Sequence, residues 1–201
     1  MNFLAHCYLS GQDPQITIGN FIGDFVKGRD LAATFGPGIA KGIELHRAID
    51  AFTDHHAVVR QSKNRLRPTY RHYSGVIVDI FYDHFLAANW DTYAEEPLDI
   101  YVAKVYQLIS QQHANLPERV NQMLPYMMRG NWLANYAHLE GIERVLGGMA
   151  RRATFVSNMQ HATEDLRQSY NEFKIEFEKF FPDLKNYCDQ WLESSHVEKM
   201  G

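Results

Sequence analysis

Apolar positions recur along this chain at helical spacing. Pro37 suits the first turn of a helix. After it, Ile39, Ile43, His46, Asp50 and Thr53 step by four, three, four and three, so they share one helix face. A second helix is predicted from about Tyr73 to Trp90. Pro117 opens another, with Val120, Leu124 and Met127 on its inner face. The last long helix carries Leu166, Tyr170, Phe173, Phe177 and Phe180. Pro182 is expected to break it, and a final helix with Leu184, Tyr187 and Trp191 follows. No alternating run of β-branched residues bounded by turns occurs, so no strand is predicted. The expected fold class is all-α, with about eight to ten helices by ordinary element lengths. No repeat, linker or low-complexity segment divides residues 1–201, which read as one domain.

Composition narrows the class. A chain of 201 residues that is 45% hydrophobic and 22% charged can bury a sizeable core, which argues against disorder. A net charge of −4 argues against nucleic-acid binding through bulk charge. The two cysteines, Cys7 and Cys188, have no metal-binding spacing. They fit a reducing, cytoplasmic setting, with a single disulfide left open. The first residues lack a basic stretch followed by an apolar one, so no signal peptide is expected. The longest apolar-rich stretch, Val76 to Trp90, contains Asp79, Asp83 and His84. It falls short of the roughly 18 apolar residues of a membrane span.

Four pairs of polar or metal-competent residues stand four apart: Asn2/His6, Asn20/Asp24, His46/Asp50 and Asp79/Asp83. In a helix such pairs lie on one face. His46 and Asp50 continue the apolar stripe of Ile39 and Ile43 and should point inward. Asp79 and Asp83 sit in a helix that is apolar on nearly every side, where a buried carboxylate is costly unless paired and two of them repel. A divalent cation would remove both penalties. The bland readings are a hydrogen-bonded core histidine at His46, and aspartates neutralised by Arg47 or Arg71. Asp54 either binds metal or ends its helix. His55 and His56 read as structural, and the histidines at 113, 138, 161 and 196 as surface residues.

Charge is unevenly distributed. From His55 to Val78 there is no acidic residue, whereas Arg60, Lys63, Arg65, Arg67 and Arg71 all fall there. Five positive charges in a chain of net −4 leave −9 on the rest. The stretch is either a solvated helix face and loop or a docking patch for an acidic macromolecule.

Several stretches resemble the bacterial acyl carrier protein phosphodiesterases. They are Met1–His6, Gly19–Gly28, Gly42–Asp54 and Val78–Leu86, with Asn131-Trp132-Leu133 and Phe180-Phe181-Pro182 further on. The resemblance implies a helical fold distantly like the HD phosphohydrolases. It implies hydrolysis of the phosphodiester joining 4′-phosphopantetheine to a serine of holo-acyl carrier protein, aided by a divalent cation, Mn2+ or Mg2+. The chain lacks the adjacent His-Asp doublet that names the HD proteins and has Asp83-His84 in reverse order, so ligands are not transferred from them.

The resulting expectations are specific. Asp24, His46, Asp50, Asp79 and Asp83 form the pool of metal ligands. His6 or His84 protonates the leaving serine oxygen, and Arg47 holds a phosphate oxygen by a forked contact. Asn20 and Lys27 face the substrate. The Arg60, Lys63, Arg65, Arg67 and Arg71 patch meets the acidic carrier. The competing readings are a hydrolase of a small nucleotide, which shares the metal site but not the patch, and a non-catalytic helical binding protein.

Overall fold

The computed structural model describes residues 1–197. Among them the regular elements are helical, in the order α1 (Phe3–Tyr8), α2 (Pro14–Ile22), α3 (Leu31–Phe35), α4 (Pro37–His55), α5 (Ala57–Tyr70), α6 (Ser74–Ala88), α7 (Leu98–Ser110), α8 (Glu118–Arg129), α9 (Trp132–Asn135), α10 (Leu139–Arg152), α11 (Ala162–Gln168) and α12 (Tyr170–Val197). Short 3-10 turns join several of them. The all-α expectation holds. The expected number of helices falls short of twelve because α1, α3, α9 and α11 are only four to seven residues long. Such pieces are too short to show a periodic stripe.

Helix α6 is the axis of the fold and packs against α1, α5, α10 and α12. Its Phe81, Tyr82 and Phe85 are fully buried. They meet Phe173, Phe177 and Phe180 of α12 in edge-on, tilted and stacked pairs, Phe81–Phe173 at 5.1 Å, Tyr82–Phe180 at 5.4 Å and Phe85–Phe177 at 5.9 Å among them. This aromatic layer explains why Pro182 does not break α12. A proline inside a helix costs about 3 kcal/mol, whereas each buried apolar side chain contributes roughly 1.5–3 kcal/mol. Phe173, Phe177, Phe180 and Phe181 before Pro182, and Leu184 and Cys188 after it, are all buried. Straightening α12 keeps both sets in the core, and Pro182 itself is exposed. The chain breaks instead at Ser169, between α11 and α12.

Helices α2 and α4 approach closely because glycines face each other. A Cβ on Gly19 would stand 2.1 Å from the Ile39 carbonyl oxygen and 2.8 Å from Gly42 Cα. The residue after Gly19 is Asn20, and this approach brings it against His46. Asp13 caps α2 by accepting from the Gln15 N–H at 2.8 Å, with Pro14 at the first helical position. Cys7 and Cys188 are buried free thiols. No described helix is long and apolar enough to cross a membrane. His113, His138 and His161 are exposed, and the side chain of His196 lies outside the described residues.

Candidate metal centre

The site is organised around one buried amide. Asn20 Nδ2 donates to the His6 carbonyl at 2.7 Å and to Ser10 Oγ at 3.0 Å. A carbonyl can only accept, which sets the orientation of the amide. Asn20 Oδ1 therefore faces His6 Nδ1 at 2.7 Å, and the Asn20 backbone oxygen faces His46 Nδ1 at 2.7 Å. Both Nδ1 atoms must carry the proton. The two rings stack with centroids 4.0 Å apart and their planes 18° off parallel. Gly23 makes room for this arrangement, since a Cβ there would meet His46 Cγ at 2.2 Å.

Both Nε2 lone pairs consequently point the same way, at carboxylates. His6 Nε2 lies 3.3 Å from Asp50 Oδ1, and His46 Nε2 lies 3.3 Å from both Asp50 Oδ2 and Asp24 Oδ1. Acceptors facing acceptors need a proton or a cation between them. His6, His46 and Asp50 each offer a ligand atom within 4.8 Å of the others, and Asp24 stands beside His46. The Nδ1 contacts are the outer-shell bonds that typically orient metal-binding imidazoles. Two imidazoles with two carboxylates fit a divalent transition metal. Thr53, one turn beyond Asp50, adds a buried Oγ1 without a protein partner.

Electrostatics agree with the geometry. Burial and the neighbouring His46 push the His6 imidazole down to about 4. Burial opposes charge on His46 too, but hydrogen bonds to Asp24 and Asp50 outweigh it and raise its pKa to about 9. Burial would raise the Asp50 carboxyl, yet His46 and His6 hold it well below the carboxylate range. The hydrogen bond to His46 likewise lowers Asp24. His46 therefore carries a proton at neutral pH, held there by Asp24 and Asp50.

The remaining expected residues are placed as follows. Asp79 lines the same cleft, and its Oδ1 accepts from the Met1 α-amino group at 3.1 Å, which is also 4.0 Å from Asp50. Burial pushes the Asp79 carboxyl up against the pull of that ammonium. Asp83 does not join the cluster. Fully buried, it accepts from the backbone N–H groups of Asn2 at 3.1 Å, Leu4 at 2.8 Å and Ala5 at 3.4 Å, and so starts α1. His84 is a satisfied core histidine. Its Nδ1 meets the Tyr136 carbonyl at 2.8 Å and its Nε2 the Tyr170 hydroxyl at 3.0 Å, which leaves no free nitrogen for proton transfer. Arg47 is exposed and donates to the Gly28 carbonyl at 3.1 Å, bracing the loop after α2 rather than entering the cleft. Asn20 is buried behind the histidines, not on the substrate side, and Lys27 lines a different hollow.

The basic stretch divides along α5. Arg65 turns inward, reaching Glu176 at 2.7 Å. Glu176 also accepts from Ser62 at 2.5 Å. Lys63 pairs with Asp54 at 2.6 Å. Arg60 and Arg67 of α5 and Arg71 just beyond it stay exposed. His55 and His56 serve the ends of α4 and α5, with His56 Nδ1 accepting from the Val58 N–H at 3.3 Å.

The cluster opens into a cleft of about 470 Å³. Asp24, Asp50 and Asp79 line it. Phe25, Val76, Met123, Trp132, Val145 and Met149 make the rest apolar, and Arg152 is the single cationic side chain among its lining residues. Sequence reasoning missed Arg152, Met123 and Met149, which carry no local signal. Asn20 was singled out, but its second carbonyl contact, to His46, lies 26 residues away.

Comparison with known proteins decides the lineage. The profile described as "Acyl carrier protein phosphodiesterase" matches residues 1–184. The chain belongs to the acyl carrier protein phosphodiesterase family. A relative of that name from Photorhabdus laumondii is 35% identical, over 90% of this chain and 92% of its own. One from Klebsiella pneumoniae is 32% identical over 94% and 98%. One from Escherichia coli is 30% identical over 92% and 95%. No solved structure matches. The stretches that carried the resemblance supply the site: Met1–His6 brings His6, Gly19–Gly28 brings Asn20 and Asp24, and Gly42–Asp54 brings His46 and Asp50.

Proposed function

We propose that this chain hydrolyses the phosphodiester between 4′-phosphopantetheine and a serine of holo-acyl carrier protein. Water adds to phosphorus and the P–O bond to serine breaks. The serine oxygen takes a proton, so the products are apo-carrier and 4′-phosphopantetheine. The observation that carries the reading is the convergence of the buried His6 and His46 on Asp50 and Asp24, two carboxylates that line the cleft, in a chain of this family.

His6, His46, Asp24 and Asp50 would hold a divalent cation, whose bound form supplies Lewis acidity toward the phosphate. The imidazoles make manganese a better match than magnesium, which favours oxygen ligands. Asn20 holds both rings with their Nε2 lone pairs facing the ion position. Asp24 and Asp50 are partly exposed, which leaves that position open to a substrate entering from the cleft. The apolar lining of Val76, Trp132 and Met149 suits the gem-dimethyl end of the pantetheine arm. His6, its Nδ1 tied to Asn20, is a ligand in this reading rather than the proton donor. Arg60, Arg67 and Arg71 offer the acidic carrier three exposed positive charges.

The test is incubation with holo-carrier and manganese, read by intact mass. Loss of one phosphopantetheine from the carrier is expected, and the loss should fail in His46→Ala and Asp50→Ala. A carrier of unchanged mass with every divalent cation tried would refute the assignment.

A further inference from the structure

Among the exposed large apolar side chains, the two most open are neighbours: Phe155 at 69% and Val156 at 91%. They sit on the loop between α10 and the 3-10 turn Met159–His161. Isolated exposed apolar residues are ordinary on any surface. Two in succession, framed by charge, are not explained by that. Arg151 and Arg152 precede them at the end of α10, with their guanidinium groups laid back over Gly147 and Gly148. The other flank is the turn Arg71–Tyr73, where Tyr73 donates to the Phe155 carbonyl at 3.5 Å and the His72 ring meets Phe155 edge-on at 6.5 Å.

None of the ion pairs among the described residues uses Arg71, Arg151 or Arg152. Cations at a helix C-terminus favour the helix dipole, which accounts for Arg151 and Arg152 but not for the apolar pair beside them. The loop also adjoins the cleft. Arg152, three residues before Phe155, and Val76, three after Tyr73, both line it. Arg67, in the last turn of α5, and Arg71, just beyond it, are exposed as well.

We propose that the loop carrying Phe155 and Val156 is an apolar anchor on which an acidic protein substrate seats at the mouth of the cleft, with Arg71 on the flanking turn and Arg151 and Arg152 on the last turn of α10 as its cationic neighbours. This rests on the carrier-protein reading above. An apolar centre with a charged rim is the usual build of a protein interface. The positive rim selects an acidic partner and speeds encounter. The apolar pair, once covered, slows departure. Seating the partner here would place its modified serine beside Arg152, with the arm directed toward Asp24 and Asp50.

The experiment uses the full chain with Phe155→Ser and Val156→Ser together. Both side chains are exposed, so the fold should be unaffected. Anisotropy of labelled apo-carrier should show at least tenfold weaker binding, about 1.4 kcal/mol. The KM for holo-carrier should rise by a similar factor with kcat within twofold, and hydrolysis of bis(p-nitrophenyl) phosphate should not change. Unchanged carrier affinity in the double variant would overturn the anchor while leaving the function intact. An equal loss on the small diester would also overturn it, because the loop would then belong to the catalytic site. So would a wild-type dimer that dissociates in the variant with carrier binding untouched, since the pair would then serve self-association. Wild-type protein that binds the carrier through this loop yet releases no 4′-phosphopantetheine would refute the function and support the anchor. No binding by the wild type would sink both.

Discussion

Replacing Asp83 with alanine separates two jobs a buried carboxylate can do. If Asp83 caps α1, the change removes the acceptor for three backbone N–H groups, two of them within 3.1 Å. A buried donor left unsatisfied costs about 1–3 kcal/mol, so the two good bonds alone are worth roughly 2–6 kcal/mol. For a domain of this size each kcal/mol moves Tm by about 2–4 °C, which predicts a fall of roughly 5–20 °C by differential scanning calorimetry. Helix α1 has six residues, too few to form without such help, and it carries His6. Metal binding should therefore weaken as a consequence of lost order in α1.

The isosteric Asp83→Asn keeps one acceptor oxygen and should lose less. Its pH dependence adds a signed test. Burial pushes the Asp83 carboxyl up from 3.8 to about 7, against the pull of the Met1 ammonium and the backbone N–H groups. The native state thus binds this proton more tightly than the unfolded chain. The stability it contributes is complete below about pH 3.8 and is lost as pH rises through 7. An amide does not titrate, so the Tm gap between wild type and Asp83→Asn should narrow from pH 5 to pH 8. A gap that widens would refute the burial argument. An Asp83→Ala protein with wild-type Tm and one fewer bound manganese would show that Asp83 is a ligand and not a cap.

Three further outcomes are expected. Gly19→Ala forces a Cβ to within 2.1 Å of the Ile39 carbonyl; the α2–α4 contact must open at about 1–3 kcal/mol, seen as a lower Tm together with weaker manganese binding because Asn20 moves with it. In the metal-free site His46 holds a proton up to about pH 9, so manganese affinity measured by calorimetry should climb about tenfold per pH unit from 7 to 9 and then level off; a flat profile would remove His46 from the ligand set. Arg60→Glu with Arg67→Glu should raise the KM for holo-carrier several-fold at low salt, with kcat preserved, and the penalty should shrink as the Debye length falls to about 8 Å; an equal penalty at high salt would mean the charges do not steer.

How far the sequence reaches depends on whether a feature is local. The helical spacing of Ile39, Ile43, His46 and Asp50 depends on one helix alone, and α4 carries it as expected, with His46 buried and Asp50 half-buried. The helix over 74–88 and the proline that precedes α8 are local in the same way. The acid-free stretch is legible too, because charge is composition. Pairing across the fold is not. Asp79 and Asp83 look equivalent at a spacing of four, yet α1 docks against α6 so that Asp83 meets three N–H groups while Asp79 faces the cleft. Arg65 and Glu176 are 111 positions apart, so nothing near Arg65 says that it turns inward while Arg67 stays out. Pro182 shows the same limit from the other side, where a local rule gave way to aromatic burial on both flanks. His6 and His46 stack only because Gly19 and Gly42 let two helices touch, and the buried amide of Asn20 then orients both rings. Backbone periodicity sets which face a side chain occupies, and it supplies the His46–Asp50 pair of α4. Only long-range packing decides what that face meets, and it brings His6, Asn20 and Asp24 to that pair.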